Sequence, residues 1–75
     1  MIDETIAVEI YEELLETLHP SVISDEWSRT DVVAWIYQAT RMGGFNSRLH
    51  SRFTEYKYGD QLNIADRVLE IANDV

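Results

Sequence analysis

Two histidines, six cationic side chains and a helix-spaced run of glutamates are the groups in this 75-residue chain that could do chemistry. Catalysis finds little to use among them. His19 and His50 are not spaced to hold a metal from one helical turn. Ser47 and His50, at i and i+3, could touch, but no carboxylate stands nearby to orient the imidazole as a nucleophilic triad requires. Glycine-rich phosphate loops and nucleotide fingerprints are absent, and so small a domain struggles to enclose a substrate pocket. Without cysteine there is no disulfide, no thiolate nucleophile and no cysteine-bound zinc. The chain reads as a non-enzyme with no catalytic residue, no metal and no cofactor.

Binding chemistry is better supplied. Glu9, Glu12, Glu13 and Glu16 fall at i, i+3, i+4 and i+7, with no Lys or Arg within a turn to relieve them. Like charges so spaced destabilise a helix by roughly 0.2–0.5 kcal/mol per pair. They span about 10.5 Å of helix axis, which approaches the charge density of one DNA strand, about one per 3.4 Å. Such a stripe suits either a solvated face or a surface recognised by a basic partner.

Charge is sorted along the whole chain. Residues 1–31 carry nine acids against Arg29, and residues 60–75 carry Asp60, Asp66, Glu70 and Asp74 against Arg67. Between them Arg41, Arg48, Arg52 and Lys57 face only Glu55. The net charge of −8 argues against nonspecific attraction to nucleic acid or anionic membrane. The basic middle leaves open a local exception.

The elements that must position these groups are helices. Ile6, Ala7, Ile10, Tyr11, Leu14 and Leu18 recur at spacings of three and four, which predicts a helix over about 3–18 that ends before Pro20. Residues 20–28 read as a turn, with Val22, Ile23 and Trp27 as core plugs. Ser28 and Asp31 have capping-box spacing ahead of Val32–Tyr37, predicting a helix over 29–42 that is apolar nearly all round, central, and ended by Gly43-Gly44. Asn46 or Ser47 can cap a third helix over 46–57. Asp60 can cap a fourth over 61–73, with Leu62, Ala65, Val68, Leu69 and Ala72 inward. No strand-like alternation or internal repeat is present. The expectation is one all-α domain spanning 1–75, a small bundle of about four short helices.

The segment Ala39 to Phe53 resembles the helix-turn-helix family in outline. Ala39 and Gly43 reproduce its Ala-x-x-x-Gly spacing, and Met42 and Leu49 are apolar where the family is; Gln38, Gly44 and Arg52 depart from it. The resemblance implies a recognition helix that turns Asn46, Ser47, Arg48 and Arg52 toward DNA, with Arg41 and Lys57 as further cations. Ser47 after Gly43-Gly44 also invites comparison with acyl carrier proteins. The Asp-Ser-Leu run of that family is missing, and the helix after the serine is basic where theirs is acidic.

The reading is therefore of a cytoplasmic, non-enzymatic interaction or regulatory module. It would set Glu9, Glu12, Glu13 and Glu16 against the basic surface of a larger protein. By analogy of size and charge it is a small inhibitor of nucleic-acid-handling machinery, of the kind phages and mobile elements carry. The alternative is a helix-turn-helix nucleic-acid binder acting through Arg41, Asn46, Ser47, Arg48, Arg52 and Lys57. A homodimer is possible in either case, and no membrane partner is expected.

Overall fold

A computed structural model describes residues 4–16, 18–41 and 46–74. They form an all-α bundle of five helices: α1 (Glu4–Leu14), α2 (Pro20–Glu26), α3 (Arg29–Arg41), α4 (Ser47–Thr54) and α5 (Tyr58–Asn73). The expected helical architecture is the one found, with one element more and several shifted ends. The Gly43-Gly44 stop, together with Met42 and Phe45, lies outside the described residues.

α1 buries Ile6, Ala7, Ile10, Tyr11 and Leu14, the stripe its periodicity predicts. It ends at Leu14 rather than near Leu18, because its last turn tightens: the Glu16 N–H reaches back only three residues, to Glu13. Leu18 still donates to the Leu14 carbonyl and packs half-buried against the core.

The extra helix, α2, occupies residues read as a turn. Pro20 begins this helix. Its fixed φ and missing N–H suit a first helical position, while the residue before it stays extended. His19 is extended (φ −79°, ψ 142°), and its Nδ1 accepts from the Ser21 N–H at 3.2 Å. His19 therefore caps α2 instead of closing α1. Ile23 of α2 is fully buried.

Ser28 and Asp31 make the expected capping contact. The Ser28 N–H and hydroxyl both donate to the Asp31 carboxylate, at 2.8 and 3.0 Å. Asn46, rather than Ser47, caps α4 by accepting from the Arg48 and Leu49 N–H groups. α4 stops at Thr54 and α5 begins at Tyr58. Asp60 thus lies within the first turn of α5, where its charge suits the helix dipole, rather than at the cap.

The central element is α5, not α3. α5 packs against α1, α2 and α3, while α4 packs against α1 and α3. Val32, Val33, Ile36 and Ala39 of α3 are buried, but Ala34, Tyr37 and Gln38 are exposed and Trp35 is half-buried. A stretch that looks apolar all round thus has a solvent face. α5 buries Gln61, Ile64, Ala65, Val68 and Ala72 in one stripe, with Leu62 and Leu69 half-buried beside it. Phe53 of α4 is fully buried.

Gln61 is a buried polar residue within this core, 4% exposed. Its Nε2 donates to the carbonyls of Phe53 and Tyr56, at 3.3 and 3.0 Å, and its Oε1 accepts from the Tyr37 hydroxyl at 3.2 Å. It adds a donor to the Phe53 carbonyl of α4 and serves the Tyr56 carbonyl in the turn that follows, and so ties α4 and α5 to α3.

Candidate interaction surface between α1 and α4

Packing of α4 on α1 brings the two sorted charges together. Arg52 Nη1 stands 2.5 Å from Glu9 Oε2, and the Asn46 N–H donates to Glu13 Oε1 at 3.1 Å. The second contact sets a carboxylate at the amino end of α4, where unpaired N–H groups and the helix dipole favour negative charge. A groove of about 340 Å³ runs between the helices, walled by all four glutamates on one side and by Asn46, Arg48 and Arg52 on the other.

The acidic stripe is therefore divided. Glu9 and Glu13 sit half-buried on the flank facing α4 and are engaged there. Glu12 and Glu16 line the same groove but are exposed and form no ion pair with any described residue. Val8 of α1 and Leu15, in the turn that follows it, are large apolar side chains left exposed. Helical geometry puts Val8, Glu12 and Leu15 on one strip, at i, i+4 and i+7.

The cations also divide. Arg29 pairs with Asp66 at 3.5 Å, joining α3 to α5. Arg67 donates through Nε and Nη2 to Glu4 of α1, at 2.9 and 2.5 Å, and through Nη1 to Glu70 at 3.0 Å. Those hydrogen bonds raise the Arg67 pKa above its ordinary value. Arg41, Arg48 and Lys57 are exposed and form no ion pair with a described residue; Ser47 is exposed beside Arg48. The four cations of the basic middle thus do not form one surface function. Arg52 serves the α1–α4 junction, and Arg48 stands at the rim of the groove.

His50 packs edge-on against Tyr37, with ring centroids 5.5 Å apart. Among the described residues no cluster of three or more His, Asp and Glu could hold a metal ion, and no helix is long and apolar enough to cross a membrane. Sequence spacing located both sides of the groove. It carried no signal for the Asn46 N–H contact, which depends on where α4 begins relative to α1. The chain matches no protein-family model, no curated protein and no solved structure.

Proposed function

We propose that this chain is a non-enzymatic interaction module that binds the basic surface of a larger protein through the outer face of α1. The observation that carries the reading is the division of the stripe, which leaves Glu12 and Glu16 without an ion pair to any described residue, near exposed Val8 and Leu15. Apolar anchors flanked by carboxylates suit a protein surface with cations around an apolar patch. Glu9 and Glu13 can join them, because the Glu9–Arg52 pair is held at the surface, 41% and 45% exposed. Such a pair contributes at most about 1 kcal/mol, which a partner cation can replace. An inhibitor that occupies the nucleic-acid-binding cleft of its target is the specific form of this reading.

The test is capture of partners from the native host by the wild-type chain and by Glu12→Lys/Glu16→Lys. The reading expects the double variant to lose the partners the wild type retains, and capture by both alike would sink it.

The helix-turn-helix reading draws support from the order of α3 and α4 and from exposed Arg48, which forms no ion pair with a described residue. Against it stands the wall of the groove, which sets four carboxylates against two guanidiniums. A phosphate approaching α4 from that side meets net negative charge. A duplex-DNA titration at low salt measures the balance, and salt-sensitive binding lost in Arg48→Gln would favour the second reading over the first.

A further inference from the structure

Trp27 and Trp35 are the only tryptophans of the chain, and they lean on each other with ring centroids 5.6 Å apart and planes inclined at 52°. Trp27 is the extended residue that closes α2 (φ −102°, ψ 137°). Trp35 belongs to a strip of α3 formed by Asp31, Ala34, Trp35 and Gln38, at i, i+3, i+4 and i+7. That strip and Trp27 line a groove of about 410 Å³, with Glu26 at its rim. Ala34, which precedes Trp35 in that strip, is small and exposed. Neither indole is fully buried, and both pack on the core through part of their surface.

An aromatic groove with carboxylates at its edge has a chemistry of its own. Indole faces attract cations through the ring quadrupole, and arginine is the more frequent partner because its planar guanidinium also stacks. Glu26 is exposed, and a fork of N–H donors lying on an indole can reach a carboxylate at the ring edge. Asp31 stays ionised, its pKa held below the ordinary carboxylate value by the backbone and side-chain hydrogen bonds from Ser28.

We propose that the groove between the end of α2 and the outer face of α3 receives an arginine side chain of a protein partner. The guanidinium stacks on the tryptophan pair and is held at the edge by Glu26. This site shares no lining residue with the α1–α4 groove, so it stands or falls separately from the reading above.

Two tryptophans give two indole N–H signals in a ¹H–¹⁵N spectrum of the full chain, and both report on the groove. The probe is acetyl-Gly-Arg-Gly-amide, compared with the same peptide carrying citrulline, which keeps the shape and loses the charge. The expected result is saturable movement of both indole signals, with arginine binding about 3- to 5-fold tighter than citrulline. Glu26→Gln, an exposed change that leaves the fold intact, should narrow that preference. Glu12→Lys/Glu16→Lys should leave the indole response unchanged. Indole signals that do not move with arginine, or that move equally with citrulline, overturn the proposal. So does a response abolished by the α1 double variant, since that places the binding on the other face.

Discussion

Arg52 and Glu9, 43 residues apart in sequence, meet at 2.5 Å across the junction of α4 and α1. The contact joins the basic segment to the acidic stripe within one chain. Its strength sets how easily a partner could take Glu9. Both side chains keep 41–45% of their surface in water, so screening and side-chain entropy offset most of the Coulomb gain. A double-mutant cycle with Glu9→Gln and Arg52→Gln should give a coupling of about 1 kcal/mol or less. Denaturant unfolding at low and high salt would check it. A coupling well above that value, unchanged by salt, would mean that Glu9 is committed to the fold.

Gln61 should matter more to stability than any surface ion pair. Gln61→Leu keeps the volume but removes three hydrogen bonds, leaving the Tyr56 carbonyl and the Tyr37 hydroxyl to find other partners. The expected cost is about 1–3 kcal/mol. Gln61→Glu should cost more at neutral pH, because a carboxylate would face two carbonyls. Thermal unfolding of the two variants would show this order, and equal midpoints for wild type and Gln61→Leu would contradict it.

Asn46 caps α4 through two N–H groups. Asn46→Ala should destabilise the chain by about 1 kcal/mol, and Asn46→Ser should recover most of the loss. Because the eight-residue α4 carries Arg48 and Arg52, the same variant should increase amide exchange along that helix. Exchange unchanged across 47–54 would show that packing of Leu49 and Phe53 alone holds it.

The geometry of the α3 cap biases the titration of Asp31. Hydrogen bonds from Ser28 lower its folded pKa, so the unfolded chain takes up the proton first as pH falls. Its contribution is therefore complete above the unfolded value of about 3.9. It is lost as pH drops through the depressed folded value. Asp31→Asn should lower the unfolding midpoint at pH 6 and converge toward wild type under strong acid. A difference constant with pH would show that the carboxylate charge contributes nothing.

If Arg41, Arg48 and Lys57 of one copy docked on Glu12 and Glu16 of another, sedimentation would reveal a dimer at low salt that dissociates at high salt. A monomer under both conditions assigns those residues to other partners.

The sequence alone determined the helical class, the buried stripe of α1, the inward residues Ala65, Val68 and Ala72 and the Ser28–Asp31 box, and narrowed the α4 cap to Asn46 or Ser47, because each depends on neighbours within one or two turns. The four glutamates and the basic hairpin could be read the same way, as residue types at helical spacing. α2 was not legible, since a proline marks the end of one helix and the start of another equally well. Nor was the buried role of Gln61, whose polar side chain carries no hydrophobic signal.

Tertiary structure decided the rest. Which glutamates are engaged follows from how α4 packs on α1. Glu9 and Glu13 meet groups of α4 and its cap, whereas Glu12 and Glu16 line the same groove without an ion pair to any described residue. The pairing of Trp27 with Trp35 arises the same way, from α2 ending beside the outer face of α3. Helical spacing defines what lies on one face of one helix; only the packing of helices defines what that face meets.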